Sequence, residues 1–116
     1  MSHISTFFSA WAMADANARA STVRDAVAEN VTYADPRTET PVEGPDALAD
    51  YLGMFSQAAP GATAEVVKSD TIQGQTRVTV AFKMPNGMEQ LGQYFVTPAD
   101  GPITAMTGFV GTGTPE

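Results

Sequence analysis

The sequence predicts an α+β fold in which a curved antiparallel sheet packs on about three N-terminal helices. Three observations predict it. Apolar residues in the first half recur at helical spacing, whereas from about residue 64 onward the period changes to two. Turn signals at Gly74, Asn86-Gly87 and Asp100-Gly101 separate the alternating runs. Helices placed ahead of a strand meander give a two-layer domain, and the hollow between such layers is the usual place for a small-molecule pocket.

Ile4, Phe7, Phe8 and Trp11 fall on one face of a first helix, with Ser2 as its expected N-cap. A second helix is expected over 22–29, with Thr22 and Asp25 at capping-box spacing, Val23, Ala26 and Val27 as its apolar stripe and Asn30 as a left-handed stop. Val31 to Ala34 reads as a short strand, followed by Asp35-Pro36 and a turn-rich loop containing Pro41. Gly44-Pro45-Asp46 opens a third helix, because proline at the first position gives up no needed amide proton. Its stripe is Leu48, Tyr51, Leu52 and Phe55, and Pro60-Gly61 ends it. Strands follow over 64–72, around Val78, Val80, Phe82 and Met84, over 88–97 and over 103–111.

At 116 residues, 1–116 is expected to be one domain. Hydrophobic residues at 43% can build a core, and the absence of cysteine excludes disulfide scaffolds, zinc ribbons and thiol catalysis. Thirteen acidic and six basic residues give a net charge of −7, and the basic ones are scattered from Arg19 to Lys83. Phosphate backbones are bound by clustered Lys and Arg, so no nucleic acid is expected as partner. The run from Ile4 to Ala14 has no preceding Lys or Arg and is broken by Ser5, Thr6 and Ser9, so it reads as helix, not leader. No stretch reaches the roughly 20 apolar residues of a membrane span, and a cytoplasmic location is expected.

The chemistry has few possible carriers. His3 is the one histidine, which disfavours a Ser-His-Asp triad, and no His or Cys cluster suggests a metal. Carboxylate chemistry remains, and Asp35 is the candidate. The proline after it biases its backbone toward the extended region and holds the side chain at a strand end. A carboxylate at the mouth of an apolar hollow can act as a base, although Asp-Pro also simply starts turns.

The run Thr32-Tyr33-Ala34-Asp35-Pro36, then a proline-containing loop closing at Gly44 before a helix, resembles the NTF2-like (cystatin-like) superfamily and most closely its ketosteroid isomerase and SnoaL-like branch. An Asp-Gly turn before Ile103, then Met106 and Phe109, adds to the likeness. The resemblance implies a cone-shaped fold, Asp35 as general base, and a homodimer through the sheet. It also places Trp11 and Gln93 where the isomerases carry a tyrosine and a protonated aspartate as oxyanion-hole donors. Both are departures, since indole and amide N–H donate less strongly. Each has a plain alternative, Trp11 as core aromatic and Gln93 as a satisfied inward polar residue.

Phe8, Tyr33, Phe55, Met84, Met106 and Val110 are expected to line the pocket around a small apolar ligand, with no cofactor and no metal. Met54 and Met88 are further candidates for its wall, or core filling. Arg37 either meets a substrate anion or is a solvated loop residue. Two functions follow: acid–base chemistry such as isomerisation, dehydration, cyclisation or hydrolysis of a carbonyl compound, or a non-enzymatic ligand-binding or association module. If Leu91, Phe95, Met106 and Val110 cannot all point into one hollow, the remainder form an apolar patch for a partner.

Overall fold

The computed structural model describes residues 3–98 and 101–111. Helix α1 (His3–Ser9) runs into a tight turn at Ala10–Ala12, followed by α2 (Ala16–Ala26), β1 (Val27–Ala34), the two-residue β2 (Val42–Glu43) and α3 (Pro45–Ala58). Four long strands complete the described chain: β3 (Thr63–Ile72), β4 (Gln75–Lys83), β5 (Glu89–Thr97) and β6 (Ile103–Val110). This is an α+β arrangement of three helices against a six-stranded sheet of order β2-β1-β6-β5-β4-β3. All neighbours are antiparallel except β1 and β6, which run parallel. The expected helix cap at Ser2 and the Asp100 half of the last turn lie outside the described residues.

The second helix differs from the expectation. It begins at Ala16, where the Asp15 carboxylate accepts the Ala18 amide at 2.8 Å, and it ends at Ala26. Ala16, Ala18 and Ala20 favour helix but carry no apolar period, so no stripe marks its start. Val27 to Asn30 belong to β1, because pairing with β6 from Val27↔Ile103 onward outweighs local helix preference. Gln73 is the non-glycine with positive φ among the described residues, so Asn30 is no left-handed stop.

The turn signals find their structures. Gln73 and Gly74 (φ 47° and 82°) form a two-residue hairpin with the twist that suits antiparallel strands. The Asn86-Gly87 hairpin closes through Met84 N–H to Met88 O at 2.8 Å, with Gly87 at φ 90°. Gly44, at φ 88°, lets the chain enter α3, whose Leu48 amide donates back to Gly44 O at 3.1 Å.

Phe7 and Phe8 from α1, Val23 from α2, Leu48 and Leu52 from α3, and Val31, Val78, Val80, Val96 and Ile103 from the sheet share one core. Strand register places the inward residues on one side, and shifts between Val66 and Lys68 and between Val27 and Thr32 break the ladders locally, as bulges do where strands bend. No helix among the described residues is long and apolar enough to cross a membrane.

Arg19 ties the helical layer together. It is buried, and its guanidinium donates to the Met13 carbonyl at 3.2 and 3.0 Å and to that of Ala14 at 3.2 Å. Gly53 of α3 lies against it, since a Cβ there would sit 2.9 Å from Nη1. Arg19→Ala leaves two carbonyls without their charged donor, which costs about 2 kcal/mol or more of stability. Chemical denaturation of the purified variant checks this, and an unchanged midpoint would refute it.

Candidate functional site

Strand alternation puts Val31, Tyr33 and Asp35 on one side of β1 and its extension. Just beyond the strand the chain turns, and the turn is locked by its own bonds. Thr38 N–H donates to Asp35 O at 3.1 Å, Asp35 N–H to Thr38 Oγ1 at 3.1 Å, and Thr38 Oγ1 to Asp35 O at 3.0 Å. The Asp35 side chain is held just as closely. Oδ1 accepts the Arg37 amide at 2.8 Å, and Oδ2 accepts the hydroxyls of Tyr33 at 2.7 Å and Tyr51 at 2.5 Å. A carboxylate offers about four acceptor positions. Three are occupied, and the fourth is on Oδ1.

A third phenol extends the chain of bonds. Tyr94 and Tyr33 hydroxyls lie 3.2 Å apart. The single Tyr33 proton goes to the carboxylate, the stronger acceptor, so Tyr94 is the donor in that pair. All three tyrosines of the sequence are therefore in one network ending on Asp35. Burial first, then the nearby Tyr94 and Asp35, pushes the Tyr33 hydroxyl far above the ordinary phenol range. Burial and the bond to Asp35 raise Tyr51 as well. Tyr94 is pushed up to about 12, chiefly by burial.

Beside this network lies a cavity of about 270 Å³. Trp11, Tyr51, Phe55, Phe82 and Tyr94 supply aromatic wall, Met54, Met84, Leu91 and Val110 aliphatic wall, and Asp35 and Arg37 the charged groups. The indole of Trp11 packs edge-on to Phe55 at 4.9 Å and near Phe82 at 5.4 Å. Trp11 Nε1 is buried and has no hydrogen-bond partner among the described residues. Two glycines make the floor. A Cβ on Gly108 would lie 2.5 Å from the Tyr94 ring, and one on Gly92 would lie 3.2 Å from Phe109 O. Side chains there would displace Tyr94 and fill the hollow. Among the described residues no group of three or more His, Cys, Asp or Glu is placed to hold a metal.

The structure thus brings Asp35, Trp11, Phe55, Met84 and Val110 to one cavity. The expectation that Gln93 faces the same space is corrected. Its neighbours Gly92 and Tyr94 line the cavity, so alternation turns Gln93 to the other side of the sheet, where its Oε1 accepts the Thr79 hydroxyl at 3.1 Å. Phe8 and Met106 are buried in the core instead of lining this cavity, Phe8 with its ring 5.0 Å from that of Tyr94. Tyr33 is fully buried behind the wall and reaches the site through its bond to Asp35. Met54 lines the cavity, whereas Met88 is exposed. His3 stands outside the site. Tyr51, Phe82 and Tyr94 are the residues that sequence reasoning missed. Tyr51 sat in an apolar helical stripe, and the choice between Gln93 and Tyr94 turned on which face of one strand is inward.

A SnoaL-like domain model matches residues 4–109. The chain belongs to the SnoaL-like domain family. No curated protein matches it significantly. Among solved structures, a candidate isomerase of the SnoaL-like family from Agrobacterium tumefaciens str. C58 is 26% identical over 95% of both chains, with a TM-score of 0.83. A protein of ketosteroid isomerase-like fold from Catenulispora acidiphila, in complex with trimethylamine, shares 12% identity over 91% of this chain and 82% of that one, with a TM-score of 0.73. A candidate polyketide cyclase from Sinorhizobium meliloti is 20% identical over 91% and 92%, with a TM-score of 0.70. These last two likenesses show the NTF2-like fold that this SnoaL-like chain shares.

The tyrosine network has a consequence for alkaline stability. Folded Tyr94 keeps its proton to about pH 12, whereas the unfolded phenol loses it near 10. The stabilisation is therefore complete below pH 10 and is lost as pH rises toward 12. In Tyr94→Phe the fall over that window is shallower by up to about 1.4 kcal/mol per pH unit. Denaturant unfolding at a series of pH values measures it, and parallel curves for the two proteins would contradict the assignment.

Proposed function

We propose that this SnoaL-like protein is a cofactor-free acid–base enzyme of the isomerase or lyase kind, acting on a small, apolar, carbonyl-bearing compound with Asp35 as base. One observation carries the reading: a single apolar cavity is lined by a carboxylate with one open acceptor position and by an indole whose N–H is uncommitted. The two phenols and the amide hold the carboxylate in one orientation, as a positioned base requires. Oδ1 takes the proton from the carbon beside the carbonyl, and the electron pair moves onto the carbonyl oxygen. Trp11 Nε1–H is a buried donor without an acceptor in the cavity wall, and a modest turn of the indole would bring it to that oxygen. Return of the proton to another carbon gives isomerisation, and loss of a leaving group gives elimination. Phe55, Met84 and Val110, with Phe82 and Leu91, enclose the apolar body of the ligand. Gln93 has no part in the step. Cavity size favours a ligand of one or two rings, since pockets for drug-sized ligands run from roughly 300 to 1,000 Å³.

A non-enzymatic pocket is the second reading, favoured by the three donors that already occupy Asp35. The trimethylamine bound by the Catenulispora protein supports small-molecule binding as a use of this fold. Hydrogen–deuterium exchange at the acidic C–H positions of a broad panel of small cyclic ketones separates the two. Wild type exchanges faster than Asp35→Asn by on the order of a hundredfold or more. Equal rates across the panel would remove the catalytic role and leave the binding reading.

We also propose that the chain forms a homodimer through the outer sheet face. Leu91 and Val110 line the cavity and Met106 is in the core, which leaves Phe95 on that face, 45% exposed. Its ring packs edge-on against Phe109, itself 54% exposed, at 5.7 Å. An exposed aromatic pair on a sheet face favours burial against a second copy. Light scattering at micromolar concentration should give twice the chain mass, and a monomer there would overturn the proposal.

A further inference from the structure

All six basic residues lie among the described ones, and four of them are engaged. Arg24, Arg77 and Lys83 hold Asp46, Asp70 and Glu65 at 2.6, 2.9 and 2.7 Å. Arg19 is spent on the Met13 and Ala14 carbonyls. Arg37 and Lys68 are the two whose side chains make no hydrogen bond or ion pair among the described residues. Lys68 stands exposed on β3, away from the cavity, whereas Arg37 lines it. In a chain with thirteen carboxylates, an arginine left unpaired at the edge of an apolar cavity is a charge available to a ligand.

Its backbone is held in place. The Arg37 amide is bonded to Asp35 Oδ1, and the Asp35–Thr38 turn carries three further hydrogen bonds, so the guanidinium starts from a set point. Its positive charge is felt inside the site, where it opposes the upward shifts of the Tyr51 and Tyr94 hydroxyls. The facing groups are Asp35, already given three donors, and these two neutral phenols. An anion seated at the outer end of the cavity meets the guanidinium first, and a planar fork of N–H donors matches a carboxylate in two places.

We propose that Arg37 is a specificity residue that makes the cavity select an apolar ligand bearing a carboxylate. The apolar body fills the space between Phe55, Phe82 and Val110, and the carboxylate is held at the mouth by Arg37. This rests on the small-molecule reading of the cavity and does not depend on catalysis. Because the guanidinium is solvent-exposed, the gain is moderate, roughly fivefold to tenfold in affinity.

Trp11 is the sole tryptophan and is part of the cavity wall, so its fluorescence reports occupancy. The probes are matched pairs: the carboxylates of cyclohexane, decalin and adamantane, each beside its carboxamide. Wild type should bind the carboxylates about fivefold to tenfold more tightly than the carboxamides, with the preference shrinking as salt rises. Arg37→Gln keeps the amide that holds Asp35 and should bind both members of a pair alike, with carboxamide affinity changed less than about twofold. Lys68→Gln should retain the preference. Equal affinities in wild type, or a preference that survives in Arg37→Gln, would overturn the proposal while leaving the cavity as a binding site. If no pair perturbs Trp11 at all, the small-molecule reading fails with it.

Discussion

Tyr33 and Tyr51 both give their hydroxyl protons to Oδ2 of Asp35, and the Arg37 amide takes Oδ1. That carboxylate joins parts of the fold that are far apart in sequence. Tyr33 comes from β1, Tyr51 from α3, and Tyr94 reaches the same network from β5. Helical layer and sheet are therefore joined by directional bonds as well as by apolar contact. Buried polar networks of this kind are stable only when every member finds a partner, and each phenol here has one. The arrangement fixes the carboxylate beside the cavity.

The cavity exists because side chains are absent from its floor. Gly92 and Gly108 sit on adjacent strands where a methyl group would meet backbone or the Tyr94 ring. Their absence of side chains lets Tyr94 lie flat against the sheet and reach Tyr33. The same two positions keep space open between sheet and α3. Trp11 then closes one side, packed among Phe7, Phe8, Phe55 and Phe82, with its N–H left without an acceptor. A buried donor in that condition costs free energy.

Much of the fold was legible in local patterns. The stripe Leu48, Tyr51, Leu52 and Phe55 gave α3, and the alternation from Val78 to Phe82 gave β4, because period alone separates helix from strand. Asn86-Gly87 marked its hairpin through the positive φ that glycine accepts. The start of α2 and the first half of β1 were not legible. Ala16 to Ala18 carry no period, and Val27 to Asn30 become strand only when β6 arrives beside them. That parallel pairing joins residues over seventy positions apart, beyond the reach of any local signal.

The sequence by itself determined the class of fold, the chemical poverty that points to a carboxylate, and Asp35-Pro36 at the end of a strand. Tertiary structure decided which side chains share the space with Asp35. Alternation along β5 is unambiguous, yet only packing against the helices chooses whether Gly92 and Tyr94 or Gln93 and Phe95 face inward, and a shift of one residue exchanges the two sets. Likewise Tyr51 looks like any core aromatic until its hydroxyl is seen to end on the carboxylate. Period is a property of neighbours in the chain, whereas a hydrogen bond across elements depends on where the whole fold places two atoms.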